Sequence, residues 1–268
     1  MTKNTCEGME EKKPLTIKEK QDILFEMLKD VDAFCRANNI KYCISDGTML
    51  GAVRHGGFIP WDDDSDICML REDFDKFVAT YKSDRFQMLY RTKTDDESFY
   101  FGFIKINDPS TYRAPHKHGT TKFGVTMDIF PFESVPEDAK ERKKFMHKIR
   151  STENRLFHKQ KTDWFSRIKS SRHTLKGWCD KLDSLVHTGK YKDSKFVGQS
   201  MCIRNDNVVL PRKLFDNVVD IQFNGYPLRG FGDSHDYLTR LFGEDYMTPK
   251  KWAHDEVIFR KDHKDKKD

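Results

Sequence analysis

Residues 58–70 read Phe58-Ile59-Pro60-Trp61-Asp62-Asp63-Asp64-Ser65-Asp66-Ile67-Cys68-Met69-Leu70. Four carboxylates fall within five positions, and the apolar run that follows is typical of a buried β-strand. Carboxylates this close to one another, at the edge of an apolar core, repel each other and resist ionisation. The cluster therefore requires a positive partner, and a divalent cation is the simplest one.

The spacing of the acidic residues is compatible with metal binding. Asp64 and Asp66 are two positions apart, so on a strand they point to the same face, about 7 Å apart. Carboxylates at this spacing suit Mg²⁺ or Mn²⁺, with Asp62 as an additional candidate ligand. Asp63 and Ser65 are predicted to point to the other face. A solvated acidic turn in front of a strand is the alternative interpretation.

The residues upstream of the acidic cluster have features of a phosphate site. Gly47 allows a ligand to approach the backbone closely. Thr48 is predicted to be the N-cap of a helix, whose free N–H groups would bind an anion. Arg54 adds a planar donor suited to phosphate. Together with the carboxylates, these residues predict a metal-assisted phosphoryl or nucleotidyl transfer site.

The run from Asp46 to Ile67 closely resembles the signature of the LicD family. These phosphocholine transferases are related to fukutin and belong to the nucleotidyltransferase superfamily. The resemblance continues in Lys105 with Thr111, in the motif at 128–131, in the segment 236–249 and in a trailing His254. This chain departs from the family pattern at Phe242, where Tyr is usual, and at Lys250, where a second Pro is common.

The resemblance also assigns Asp128 and Lys105 to the site. Asp128 is a lone carboxylate in an apolar strand, where a charge needs a partner. The family motif maps it to a third metal ligand beside Asp64 and Asp66. As alternatives, Asp128 caps a nearby loop or takes the proton of the attacking hydroxyl. Lys105 either snorkels at a sheet edge or reaches the donor phosphates, as the family suggests.

The resemblance implies a Mg²⁺-dependent phosphotransferase. It would move phosphocholine from CDP-choline, or a related phospho-alcohol from a similar CDP-linked donor, to a hydroxyl of a cell-surface glycan or glycolipid precursor of lipopolysaccharide or teichoic acid type. Gly47, Thr48 and Arg54 would hold the donor diphosphate. Aromatic side chains should enclose the quaternary ammonium, and the candidates are Trp61, Tyr100, Phe101, Tyr112 and Phe130.

Two other classes of function remain open from the sequence. One is a nucleotidyltransferase that adds NMP to a protein, an RNA or a small molecule. The other is a non-catalytic module that binds polysaccharide. Nucleic acid is not an expected partner, because 48 Lys and Arg nearly balance 43 Asp and Glu and leave a net charge of only +5.

Composition and targeting features predict a cytoplasmic protein. No apolar run approaches the roughly 20 residues of a membrane helix, and the N-terminus lacks the apolar segment of a signal peptide. The six cysteines are scattered, which favours free thiols in a reducing compartment. Peripheral contact with the inner face of an anionic cell membrane is an additional expectation.

The predicted fold is α/β (α+β), a mixed sheet of nucleotidyltransferase topology flanked by helices. We expect a single domain over 15–260, between a flexible N-terminus (1–14) and a charged tail (261–268). Thr16 and Glu19 form a capping box for a helix over 16–38. Residues 137–192 predict a basic helical insertion, in which 140–176 holds thirteen Lys or Arg against three Asp or Glu. This basic face is either solvated or contacts an anionic acceptor or a membrane leaflet.

Overall fold

A mixed sheet surrounded by helices is the centre of the molecule. The computed structural model describes residues 13–91, 102–113, 123–160, 174–199, 208–250 and 258–260. The helices in these ranges are α1 (Ile17–Ala37), α2 (Asp46–His55), α3 (Arg71–Thr80), α4 (Ala139–Gln160), α5 (Leu175–Val186) and α6 (Ser234–Phe242). The strands are β1 (Cys43–Ile44), β2 (Asp66–Leu70), β3 (Gln87–Leu89), β4 (Ile104–Asn107), β5 (Thr111–Arg113), β6 (Thr126–Ser134), β7 (Phe196–Gln199), β8 (Val209–Pro211), β9 (Val218–Phe223), β10 (Tyr226–Phe231) and β11 (Ile258–Arg260). The α/β class predicted from the sequence is confirmed.

Strand β6 organises the sheet. The strand order is β1-β2-β6-β4-β3, and β7 and β8 continue from the far end of β6. β2 and β6 run parallel, with Asp66 opposite Asp128 and Leu70 opposite Phe132. β4 runs antiparallel on the other side of β6, with Lys105 opposite Asp128. Asp66, the first residue of β2, therefore lies beside Asp128, the third residue of β6, at one edge of the sheet.

One face of the sheet is largely aliphatic and belongs to the main core. Its alternate positions carry Ile67, Met69, Ile104, Ile106, Met127 and Ile129, all fully buried. Helix α1 packs against β6 and β10, and its inner stripe of Leu24, Met27, Leu28 and Val31 belongs to the same cluster. Each such side chain contributes roughly 1.5–3 kcal/mol by burial, so the sheet edge that carries the carboxylates is firmly supported.

Helix α1 confirms the prediction made from its capping box. The Glu19 N–H donates to Thr16 Oγ1 at 3.2 Å, and the Thr16 N–H donates to Glu19 Oε2 at 2.8 Å. At the other end, the pair Asn38-Asn39 predicts that the chain leaves the helix through a left-handed residue. Asn39 has a φ of 51°, which confirms this prediction. Asn and Asp tolerate this conformation better than other residues with a Cβ.

Helix α3 is shorter than its sequence pattern predicts. The apolar spacing predicts a helix over 71–83, whereas the helix ends at Thr80 and Tyr81 takes an extended conformation. The ring of Tyr81 stacks on Phe77 at 4.5 Å, and its hydroxyl donates to Asp30 Oδ2 at 2.7 Å. These contacts to the core and to α1 compete with a further helical turn, which explains the early end.

Two helices make up most of the described part of the basic insertion, whereas residues 187–192 form turns and irregular structure. Helices α4 and α5 pack against each other around a second core cluster that includes Ile149, Leu156, Trp178 and Leu182. The outer face of α4 exposes the lysines at 140, 143, 144 and 148. Residues 161–173, with the predicted inner residues Trp164, Phe165 and Ile168, lie outside the described ranges. None of the helices in those ranges is both long and apolar enough to span a membrane.

The hairpin of β9 and β10 turns at Asn224-Gly225, as the sequence predicts. Both residues have positive φ angles, 50° and 78°, as a two-residue hairpin turn requires. The Asn224 N–H donates to the Gly56 carbonyl at 2.7 Å. A Cβ on Gly57 would lie 1.8 Å from Asn224 Oδ1, so this glycine lets the hairpin pack against the segment that leads to the acidic cluster.

Candidate active site

Three charged side chains form a row across β2, β6 and β4, at the edge of the sheet where β2 begins. Asp66 lies opposite Asp128 across the parallel pair, and Lys105 lies opposite Asp128 across the antiparallel pair. Paired residues on neighbouring strands point to the same face. The two carboxylates that the sequence places some sixty residues apart are therefore neighbours, on the face opposite the aliphatic one.

Asp66 is at the centre of a group of acidic residues. Loss of solvation, followed by repulsion from Asp64, Asp46, Asp128 and Asp62, raises the pKa of Asp66 well above its usual value. The backbone around it is fixed, since its N–H donates to Thr48 Oγ1 at 2.8 Å. The prediction that clustered carboxylates at a core edge resist ionisation is thus met at Asp66.

Lys105 is the nearby cation of this row. Its ammonium forms an ion pair with the Asp128 carboxylate and lies 5.2 Å from the centre of the Phe103 ring. The ammonium is therefore not directed to bulk solvent, as snorkelling requires. Its contact with Asp128 places a positive charge within the acidic group.

The donor atoms of the site suit a hard divalent cation, although they are not gathered into a preformed cage. Within the described part of the chain, no three Asp, Glu, His or Cys side chains are grouped closely enough to hold a metal ion as they stand. Carboxylate oxygens are nonetheless the ligands that Mg²⁺ and Mn²⁺ prefer. An ion between Asp66 and Asp128 would relieve the repulsion that raises the pKa of Asp66, and the ammonium of Lys105 would have to move aside.

Helix α2 begins three residues earlier than predicted. Its N-cap is Ser45 and its first residue is Asp46, so the prediction of Thr48 as N-cap is wrong. Tertiary contacts explain the difference. The Asp46 N–H donates to the Tyr237 hydroxyl at 2.9 Å, and the buried Thr48 hydroxyl accepts the N–H of Asp66. Thr48 thereby ties the first turn of α2 to the start of β2.

A carboxylate of the protein itself lies over the first turn of α2. A Cβ on Gly47 would lie 2.8 Å from Asp62 Oδ2, so the absence of a side chain at Gly47 makes room for Asp62. Asp62 is buried, and a carboxylate at a helix N-terminus is electrostatically favourable. The close approach predicted for Gly47 is present, and the approaching group here is Asp62.

Arg54 lies away from Gly47 along the same helix. Seven residues separate them, or about 10 Å along the axis. The Arg54 Nη1 donates to the Tyr246 carbonyl at 2.9 Å, while Nη2 is buried and has no hydrogen-bond partner in the structure. Burial lowers the pKa of Arg54. The arrangement leaves Nη2 as a donor that an anion beside α2 could use.

The aromatic candidates for a choline site have separate surroundings. Phe130 is two residues beyond Asp128 on the same face, half-buried, and its ring lies 5.1 Å from Phe103. Trp61 meets the His55 ring edge-on at 6.1 Å, and Tyr112 stacks on Phe259 at 5.5 Å. Tyr100 and Phe101 lie outside the described residues. Phe130 is the candidate that shares a sheet face with the carboxylates.

Sequence reasoning missed the residues of helix α1 that contact the acidic loop (residues 59–65) and support it. Lys20 of α1 forms an ion pair with Asp63 at 2.5 Å. Gln21 Nε2 donates to the carbonyls of Ile59 at 3.1 Å and Asp62 at 2.8 Å. Both residues share the helix face of Leu24, at i−4 and i−3. Two polar residues on an otherwise apolar stripe were the available signal.

A family model described as LicD/FKTN/FKRP, nucleotidyltransferase domain, matches residues 39–175. The chain belongs to the LicD family. The matched span contains α2, β2, β4 and β6, and with them every residue that the sequence predicted for the site. The family resemblance inferred from the motifs is therefore confirmed.

Individual relatives extend the LicD similarity over most of the chain. The chain is 28% identical over 253 residues to the lipopolysaccharide cholinephosphotransferase LicD of Haemophilus influenzae, covering 88% of this chain and 92% of that protein. Two uncharacterized Rickettsia proteins match over shorter spans. RT0683 of Rickettsia typhi is 45% identical over 73 residues, 26% of this chain and 22% of that protein. RP689 of Rickettsia prowazekii is 54% identical over 50 residues, 19% of each chain.

Proposed function

We propose that this protein is a cholinephosphotransferase that modifies lipopolysaccharide or a related cell-surface glycan, with CDP-choline as donor. Related CDP-linked phospho-alcohols and a teichoic acid acceptor fit the same chemistry. The pairing of Asp66 with Asp128 on neighbouring parallel strands carries the proposal. The long similarity to the Haemophilus influenzae enzyme, whose name gives this activity, supports the choice of group transferred.

The carboxylates are proposed to be the metal-binding part of the site. Asp64, Asp66 and Asp128 would hold Mg²⁺ or Mn²⁺, with Asp62 as an additional candidate ligand. A bound ion would neutralise charge on the donor phosphates and on the departing CMP. Asp62 already lies against the first turn of α2, so its distance from the ion depends on how the acidic loop is held.

In the proposed reaction an acceptor hydroxyl oxygen attacks the phosphorus of the phosphocholine group. The new P–O bond forms as the bond to CMP breaks, and CMP leaves with the electron pair of that bond. Asp128 would take the hydroxyl proton once its ion pair with Lys105 opens. The freed ammonium of Lys105 would then stabilise the donor phosphates, because it is a positive charge on a flexible side chain next to Asp128.

The other donor contacts are proposed from the surroundings of α2. Gly47 and Thr48 set the first turn of the helix beside the carboxylates, and Arg54 offers its buried Nη2. Phe130 would contact the trimethylammonium group through its ring face. The exposed lysines of α4 would bring the enzyme to an anionic membrane at its inner face, where a glycolipid acceptor is presented.

Product mass tests the proposal most simply. The full-length protein is incubated with Mg²⁺, CDP-choline and a lipopolysaccharide oligosaccharide, and the acceptor is analysed by mass spectrometry. We expect the acceptor to gain phosphocholine in step with CMP release. In a parallel incubation with NTPs in place of CDP-choline, a gain of NMP would instead identify a nucleotidyltransferase. Binding of the glycan without any transfer would identify a non-catalytic module.

A further inference from the structure

Lys20 and Gln21 are polar residues on the core side of helix α1. The Lys20 side chain is 6% exposed and that of its partner Asp63 is 9% exposed, while Gln21 is also buried. Long polar side chains are seldom buried this deeply unless their partners replace the lost water contacts. Helix α1 lies outside residues 39–175, the span that the family model matches.

The partners of both residues lie in the acidic loop. The Lys20 ammonium contacts Asp63 Oδ2 at 2.5 Å. The Gln21 amide donates to two backbone carbonyls, one at the start of the loop in Ile59 and one in Asp62. Consecutive residues of one helix therefore support the loop, and their contacts include an ion pair and hydrogen bonds to two backbone carbonyls.

The position of Asp63 decides where its two neighbours point. Asp62 and Asp64 flank Asp63, and their carboxylates lie near the first turn of α2 and near Asp66, respectively. A change of backbone angle at residue 63 would move both carboxylates together. Reactive groups must be held to within about 0.5 Å, so a loop of this kind needs a support that does not itself touch the substrate.

We infer that Lys20 and Gln21 are positioning residues, which orient Asp62 and Asp64 of the acidic loop toward the metal ion and the donor phosphates. The inference rests on the proposed function. It assigns a role in the reaction to a helix that contributes no group to the reacting atoms. It also explains why a buried lysine and glutamine interrupt the apolar stripe of α1.

Removing both members of the ion pair separates positioning from stability. Breaking a buried pair on one side leaves an uncompensated charge, whereas replacing both members by apolar residues can leave stability unchanged. We expect Lys20→Met to lower Tm and the double variant Lys20→Met/Asp63→Leu to recover it. Mn²⁺ affinity, measured by titration without any donor, should remain about tenfold weaker in the double variant, as for other residues that support metal ligands. Gln21→Leu should show the same loss of Mn²⁺ affinity.

An exposed ion pair on the same helix provides the matched control. Lys18 and Asp22 lie 2.5 Å apart with side chains 74% and 61% exposed. The double variant Lys18→Met/Asp22→Leu should keep both Tm and Mn²⁺ affinity, because exposed pairs contribute little.

The outcomes are distinct. A Lys20→Met/Asp63→Leu protein that regains both wild-type Tm and wild-type Mn²⁺ affinity would overturn the inference, since the pair would then act in stability alone. If the wild-type protein binds Mn²⁺ but transfers nothing from CDP-choline, the proposed function fails, while weakened Mn²⁺ binding in the double variant still supports positioning. A wild-type protein that binds no Mn²⁺ overturns both.

Discussion

Lys105 and Asp128 face each other across strands β4 and β6, and their side chains form an ion pair at the edge of the sheet where β2 begins. The pair puts a positive charge next to the carboxylate that the family motif assigns to the metal. In the absence of a ligand, this charge offsets part of the repulsion within the acidic group. Metal binding and the Lys105–Asp128 contact should therefore compete.

This competition predicts opposite effects of one substitution. Lys105→Met removes the competing ammonium, so Mn²⁺ should bind more tightly to the free protein in a calorimetric titration. Turnover of CDP-choline should fall by on the order of 10²-fold, because a charge that stabilises the transferred phosphoryl group is lost. Lys76→Met, which removes an ammonium that contacts only backbone carbonyls at Asn38 and Asn39, is the control. Weaker Mn²⁺ binding in Lys105→Met would contradict the competition.

The raised pKa of Asp66 predicts a pH effect on stability. The native state holds the Asp66 proton to higher pH than the unfolded state does. The free energy of unfolding therefore falls as the pH rises from the Asp66 pKa of the unfolded state to the Asp66 pKa of the native state. The interval starts near the ordinary Asp pKa of about 3.9 and extends upward to the raised value. In metal-free protein near neutral pH, Asp66→Asn should therefore raise the free energy of unfolding, because the amide carries no charge at the buried position.

Urea titrations of the metal-free protein at a series of pH values measure this effect. The wild-type curve should decline over the interval, and the Asp66→Asn curve should decline less. An unchanged slope in Asp66→Asn would show that other groups dominate the titration. Asp22→Asn, a substitution at an exposed carboxylate of α1, should leave the slope as it is in the wild type.

Gly47 should not tolerate a side chain, and the reason is specific. The Cβ of Gly47→Ala would lie 2.8 Å from Asp62 Oδ2, so the acidic loop must shift. We expect a loss of about 1–3 kcal/mol in the free energy of unfolding together with weaker Mn²⁺ binding. The double variant Gly47→Ala/Asp62→Ala should lose less than the sum of the two single changes. Strict additivity in this cycle would refute the contact.

The basic face of α4 yields a prediction about membranes. Replacing Lys143, Lys144 and Lys148 by Glu should abolish cosedimentation with vesicles that contain phosphatidylglycerol, since each lysine near an anionic surface is worth about 1 kcal/mol. Turnover on a soluble oligosaccharide should be unchanged. Lys176→Glu, a charge change on the exposed surface of α5, is the control. If the wild-type protein stays in the supernatant with such vesicles, the prediction is wrong, and the basic face of α4 is a solvated surface.

Local sequence patterns predicted the structural features that depend on residues close to one another in the chain. The capping box and apolar stripe defined α1, and the Asn224-Gly225 pair defined the hairpin turn. The acidic cluster and the strand after it identified the centre of the molecule. The motif from Asp46 to Ile67 predicted membership of the LicD family, which the family model confirms.

The contacts that long-range packing decides could not be predicted in the same way. Ser45 and Thr48 are both good N-cap residues. The choice between them depends on contacts with Tyr237, which is distant in sequence, and with Asp66, which begins strand β2. The pairing of Lys105 with Asp128 depends on strand register. The contact of Lys20 with Asp63 could not be predicted from local pattern either, because the two residues are 43 positions apart.

The most direct measurement for the whole account is the rate of CMP release from CDP-choline by Asp128→Asn, with Mg²⁺ and acceptor present. The account predicts a loss on the order of 10³-fold, with Tm close to that of the wild type and full activity in Asp22→Asn. An Asp128→Asn protein that stays folded and retains wild-type turnover would contradict the claim that Asp66 and Asp128 together form the centre of phosphoryl transfer.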